Sequence, residues 1–286
     1  MSATETTIAA SAGPIESKSG PSPLYRQYLR NVRLRRRLIL ASQFVLLVLF
    51  LVAWEVAPRA HWVNPMLTSY PSAIGPTFVS LVASAGNEGN ILDHTWLTLF
   101  RSVLGFTVSM ALGVGFAVVL WWSGFLQRVL DPFLVVANAL PKIALVPIFY
   151  IWLGATNSIY GIAVSIAIFI TIIMVYNGFR EIDPNKVKLV CTFGASRWQI
   201  LRMVVLPGSV PTMIAALKIN VGLALVGVIV GEFQSAKAGL GFLIIYGSQI
   251  YQMNMVMTAI VILAVISTVM YLAITLFETR VLKTRQ

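Results

Sequence analysis

The stretch TFGASRWQILRMVVLP, residues 192–207, mixes polar and apolar residues between two long apolar runs. Just upstream, Asp183-Pro184 is a helix start, with aspartate as N-cap and proline at the first helical position. A helix from about 184 to 193 then ends at Gly194, because glycine tolerates the left-handed conformation of a C-terminal cap. Ser196 restarts a helix, and Gln199 three residues on completes a capping box. Trp198, Leu201 and Val205 share one face at helical spacing, Arg197 and Gln199 point elsewhere, and Pro207 opens the next apolar run. The segment reads as two short helices joined at a glycine hinge. With an amphipathic face and no core of its own, it is built to dock on another protein or on a headgroup layer.

The surroundings are a membrane protein's. Of 286 residues, 58% are hydrophobic and only 11% charged, against about 25% charged in a soluble domain. Residues 102–127, 143–179 and 238–277 contain no Asp, Glu, Lys or Arg. Runs longer than ~18 such residues are transmembrane helices, because the bilayer offers backbone groups no other partner. Six spans are expected, at about 38–57, 96–121, 129–153 with a break at Pro141, 157–177, 208–231 and 255–277. Before them lie a disordered tail, 1–24, without the apolar core of a signal peptide, and a basic interfacial helix, 25–37. The six-span domain is 38–286, with 178–207 as its main loop. An N-terminus inside places sixteen of the 21 basic residues in cytoplasmic segments, so both termini are expected in the cytoplasm. The net charge of +11 therefore reflects orientation and anionic lipid, with no nucleic acid implied. Residues 74–84 of the external segment 58–93 are expected to form a short surface helix.

Chemistry is sparse. Cys191, the single cysteine, excludes an intramolecular disulfide and reads as a small buried residue. His61 and His94 lack a metal-ligand spacing and read as surface or packing side chains. No GxxxxGK[ST] element is present, so the chain has no P-loop of its own, and no GxSxG or HExxH element suggests a membrane enzyme. Glu55 and Arg101 lie near span ends, where snorkelling accounts for them. Lys142, directly after Pro141, and Lys218, inside the fifth span, are candidates for a polar path, along with Asn138, Pro141 and Asn220. Gly113, Gly115, Gly227 and Gly231 allow close helix approach.

Gly194, nine residues, Val204, one residue, then Leu206-Pro207 resembles the G-x9-I-x-L-P half of the cytoplasmic loop in ABC-importer permeases. The leading Glu-Ala-Ala of that motif aligns with Lys188, Leu189 and Val190, a departure that removes the family's glutamate. HTWLTLFRSVLGF (94–106), ALPKIALVPIFYIWLG (139–154) and ALVGVIVGEFQSAKAGLGFLI (224–244) resemble the nitrate/sulfonate/taurine/bicarbonate branch of these permeases, and the likeness spans about residues 65–280. It implies an all-α, six-span fold of the type I ABC importer class in a bacterial inner membrane. It also implies a homodimer around one pathway, two separate ATP-binding subunits, and an external solute-binding protein. ATP and magnesium would sit on the partner subunits, leaving this chain without a cofactor or a catalytic site. Coupling to the ATPase would fall on Lys188, Thr192, Phe193, Gly194, Ala195, Ser196, Arg197, Trp198, Leu206 and Pro207. Glu232, Gly239 and Gly241 would form an external gate or receptor-facing surface. The substrate would be a small oxyanion or sulfonate, although similar permeases carry heterocyclic vitamin precursors. The rival, an ion-driven secondary transporter, needs intramembrane carboxylates, and only Glu55 and Glu232 approach that role.

Overall fold

The computed structural model describes residues 23–64, 67–83, 89–235 and 237–283; the expected tail lies almost wholly outside them. Every regular element among the described residues is helical. Packing divides the chain into two units, 1–57 and 58–286. The described part of the first is α1 (Pro23–Arg59), a single helix of 37 residues that runs into the first turn of the second unit. The basic arm therefore does not form an interfacial helix of its own. With no Gly or Pro between Leu24 and Ala57 to break the ladder, it continues the axis of the first span.

The second unit holds α2 (Pro71–Ala83), α3 (Ile91–Trp122), α4 (Gly124–Ala139), a 3₁₀ turn (Lys142–Leu145) and α5 (Val146–Arg180). After these come α6 (Pro184–Thr192), α7 (Arg197–Ile200), a π turn (Leu201–Val205), α8 (Leu206–Gly208), α9 (Val210–Ser235), α10 (Leu240–Gln249) and α11 (Met253–Lys283). Five helices are long and apolar enough to cross a membrane. One of them, 142–180, contains two passes. Gly154 is non-helical, at φ 75° and ψ 175°. A Cβ placed on Gly161 would lie 2.7 Å from Leu153 and 3.0 Å from Phe149, although twelve residues of straight helix span ~18 Å. Farther along, the Lys142 amine sits 5.5 Å from the centre of the Phe169 ring. The chain thus reverses at Gly154, and 146–153 runs antiparallel to 155–180. The third span is α4 plus 142–153, interrupted at Leu140-Pro141, and the fourth is 155–180. Six crossings follow.

The core of this unit is α3, α5 and α9. Gly227 and Gly231 let α9 lie directly on α5, since a Cβ on either would come within 3 Å of the Cα of Ala163 or Ile159. Gly113 packs equally tightly against Thr171, whereas Gly115 faces open space and contributes no such contact. At one end Ile91, Leu240, Leu243, Met255 and Ala259 form a core beneath α2 and α10. At the other, Ala117, Val175, Phe179, Ile200, Leu201 and Val205 anchor the loop. These are called the far end and the loop end below.

Candidate functional site

At the loop end the sequence-derived geometry is present. The Asp183 carboxylate accepts from Asn185 N–H at 2.8 Å and starts α6. Gly194 has φ 77°; its N–H donates to Cys191 O at 2.9 Å and Ala195 N–H donates to Val190 O at 3.3 Å. Together they form a Schellman C-cap. The Thr192 hydroxyl donates to Leu189 O. The capping box at Ser196 and Gln199 is reciprocal, with bonds of 2.7 and 3.4 Å.

The faces divide differently from the expectation. Ile200, Leu201 and Val205 are buried, but Trp198 remains 57% exposed. The π turn, in which Leu206 N–H donates to Leu201 O, shifts the helical phase between Leu201 and Pro207. Phe193 and Met203 are exposed as well, while Ala195 and Leu206 pack on the core beneath. Ile182, Leu189, Val190, Met203, Val204 and Pro207 line a groove of about 640 Å³ along the segment. Lys188 is exposed on α6. Cys191 is exposed there too, not buried, because no element among the described residues covers the outer face of α6. Arg197 donates to Trp122 O at 3.1 Å, tying the segment to the last residue of α3.

Between the ends, Pro141 interrupts the third span. In an unbroken helix the Lys142 backbone N–H would take the Asn138 carbonyl; here the side-chain amine takes it instead, at 2.7 Å. Pro141 is exposed and Asn138 and Lys142 are half-buried. Lys142 has no carboxylate partner among the described residues. Lys218 does have one: its amine pairs with the Glu278 carboxylate of α11 at 2.5 Å. That pairing, invisible across sixty residues of sequence, makes it a poor lining residue for a path. Asn220 is a correction as well. It is fully buried, accepting from Ser109 at 3.1 Å and donating to Thr171 at 2.8 Å, and so locks α3, α5 and α9 together.

At the far end Glu232 is 1% exposed. It is not a surface presented to a receptor; it is the centre of a closed polar cluster. Its carboxylate accepts from Arg101 at 2.7 Å, from Thr98 at about 3 Å, and from Gly241 N–H at 2.9 Å. Arg101 also donates to Ala238 O at 2.7 Å. Arg101 is buried and paired, so it does not snorkel. Thr98 Oγ1 accepts from Leu240 N–H, and His94 Nδ1 accepts from Gly239 N–H, both at 2.8 Å. Three consecutive N–H groups at the start of α10, which no intrahelical carbonyl can reach, are thus met by His94, Thr98 and Glu232. A carboxylate is also the charge that a helix N-terminus favours. Gly239, at φ 124°, and Gly241 leave no room for a side chain against Glu232. His94 is a packing residue with a defined bond, whereas His61 is exposed.

Residues 109–283 match the family described as binding-protein-dependent transport system inner membrane component. The chain belongs to this family. It is 26% identical, over 88% of its length and 90% of the relative's, to the aliphatic sulfonates transport permease SsuC of Bacillus subtilis. It is 28% identical, over 82% and 86%, to the riboflavin transport permease RibX of Chloroflexus aurantiacus. Its fold is also that of a subunit of the MetNI methionine ABC transporter, solved in inward-facing form. The TM-score is 0.60 at 19% identity, over 66% of this chain and 95% of the other.

The protein is therefore a multi-pass inner-membrane permease subunit with the type I ABC importer fold, and a separate subunit hydrolyses ATP. An external binding protein and ATP-binding partners belong to such a system. Of the two carboxylates that the ion-driven rival needs, Glu232 is buried and ion-paired to Arg101. Thr98 and Arg101 were missed as partners of Glu232, and His94 as the partner of Gly239 N–H. Their spacing, i, i+4 and i+7 on one face of an otherwise apolar span, was the available signal.

Proposed function

We propose that the chain forms, as a homodimer, the pathway by which a small anionic solute of the oxyanion or sulfonate class is imported. The observation that carries this reading is Lys142. It lies at a helix break in the middle of the third span and has no carboxylate partner among the described residues, unlike Arg101 and Lys218. Its amine rests on a carbonyl, a weak partner that an anion can displace. The relative that carries aliphatic sulfonates supports the same class. Two ATP-binding subunits dock at 184–205, where Trp198, Phe193 and the groove beside α6 offer an uncovered apolar surface. The binding protein delivers solute at the far end, at segments 58–93 and 232–254. ATP and magnesium stay on the partners, and this chain carries no cofactor.

Lys142→Met tests the anion path in the purified complex reconstituted with its ATPase and binding protein. Losing one charge-assisted contact of ~1.5–3 kcal/mol lowers sulfonate uptake about tenfold or more, with assembly and basal ATPase intact. Sulfonate uptake near wild type in the variant would remove Lys142 from the anion path. No sulfonate uptake by the wild-type complex would remove the anion class and favour an uncharged solute, such as the heterocycle of the riboflavin relative.

Both termini lie in the cytoplasm. This follows from six crossings together with the clustering of basic residues beside the N-terminus and the 178–207 loop. The native Cys191 and an engineered Gln249→Cys mark opposite sides. An impermeant maleimide is expected to label Gln249→Cys in intact cells and Cys191 only after permeabilisation. The reverse pattern would invert the topology.

A further inference from the structure

The continuity of α1 has a consequence for its arginines. Residues 38–57 are long enough to cross a ~30 Å hydrocarbon core, so residues 23–37 project past it on the same axis. Arg30, Arg33 and Arg37 recur at i, i+3 and i+7, which puts them on one stripe of the helix. All three are exposed, and with Leu34 they line one shallow recess of about 480 Å³. At 1.5 Å per residue Arg33 stands ~6 Å and Arg30 ~10 Å beyond Arg37 along the axis. The headgroup layer on each side of the hydrocarbon is ~5–8 Å thick, so the stripe traverses that layer.

No Asp or Glu occurs between Leu24 and Trp54, so α1 itself supplies no counter-charge here. Like charges at i, i+3 and i, i+4 repel one another along a helix, and an anion between them removes the penalty. Guanidinium forks match phosphate oxygens two at a time. Leu34 adds an apolar wall that a free phosphate ion does not use but a glycerol–acyl junction does. We propose that Arg30, Arg33 and Arg37 form a binding site for the headgroups of anionic phospholipids. The site is independent of which solute the permease carries.

The test compares two charge-matched variants of the full-length permease in mixed phosphatidylglycerol–phosphatidylcholine nanodiscs. Bound lipid is counted by native mass spectrometry after release. Arg30→Gln/Arg33→Gln removes two stripe arginines; Arg35→Gln/Arg36→Gln removes the same charge off the stripe. Diffuse attraction to the surface falls equally in both, so only direct contacts distinguish them. The stripe pair is expected to retain about tenfold less phosphatidylglycerol than the off-stripe pair, with phosphatidylcholine unchanged. Equal loss in the two variants, or no loss in either, would overturn the site. Displacement of the lipid by excess inorganic phosphate would reduce it to a phosphate-ion site and overturn the lipid assignment. Should the glutamine pair insert poorly, Arg30→Lys/Arg33→Lys keeps the insertion charge while removing the forks. It is expected to lower retention several-fold, and full retention would count against the proposal.

Discussion

Arg101→Met is expected to destabilise the folded permease by about 3–5 kcal/mol, the cost of leaving one charge of a buried pair without its partner. The side chain donates to Glu232 and to Ala238 O, both at 2.7 Å, and its guanidinium is buried. Its loss strands a carboxylate that is 1% exposed and also frees the 238 carbonyl. Thr98 and Gly241 still donate to Glu232, which keeps the effect short of complete unfolding. The double variant Arg101→Met/Glu232→Gln removes both charges and retains an acceptor for Gly241. It is expected to recover roughly half of the single-variant loss, because a missing buried pair costs less than a broken one. Unfolding midpoints of purified protein in detergent measure both. If the double variant shows the sum of the two single losses, the pair is not energetically coupled. The consequence would be mechanical as well. The cluster satisfies the first N–H groups of α10, so its loss is expected to let that end fray and raise basal ATPase activity while import falls.

The legible parts of the sequence were those governed by local rules. The caps at Asp183, Gly194 and Ser196 depend on residues within three or four positions, and each formed its bonds. The break at Pro141 was readable because proline has no N–H to give, whatever surrounds it. Pairings across long separations were not readable: Lys218 with Glu278, Asn220 with Ser109 and Thr171, Arg101 with Glu232. Membrane spans hide them in a particular way. In water, a polar residue in an apolar helix marks the solvent face; in lipid it marks the packed interior. His94, Thr98, Arg101, Gly105, Ser109 and Gly113 all lie on the buried stripe of α3, while Leu92, Trp96, Phe100 and Val103 remain exposed. Reading α3 with that inversion places Arg101 inside the bundle. Reading it by distance from the span end places it at the interface, which is where the expectation failed. The turn at Gly154 escaped for a different reason: one residue at positive φ leaves both flanking segments helical, so the apolar run looks continuous.

Gly194→Val is expected to uncouple the permease from its ATPase without unfolding it. No atom lies within 4 Å of where a Cβ would sit, so the penalty is backbone strain alone. At φ 77° a β-branched residue is strained by roughly 1–3 kcal/mol. The chain relieves this by giving up the bonds of Gly194 and Ala195 to the end of α6, worth about 1 kcal/mol each. The hinge angle between α6 and α7 is lost with them. Buried Ile200, Leu201 and Val205 hold the rest of the segment on the core, which is why insertion and thermal stability should change little. Gly194→Asn is the discriminating control. Asparagine tolerates the left-handed region, so it should keep coupling near wild type if the backbone angle is what matters.

Trp198→Ala separates the surface from the hinge. Being 57% exposed, Trp198 contributes little to the fold. An exposed aromatic that becomes buried on docking is worth roughly 1–3 kcal/mol, or about tenfold in affinity for the ATP-binding subunit. Co-purification yield and substrate-stimulated ATPase activity read the two effects apart. Gly194→Val should assemble weakly and stimulate poorly, whereas Trp198→Ala should assemble weakly but recover stimulation when the ATPase is in excess. Full stimulation in both variants at equal subunit ratios would mean that the 184–205 segment is not the docking element, and the uncovered surface beside α6 would need another occupant.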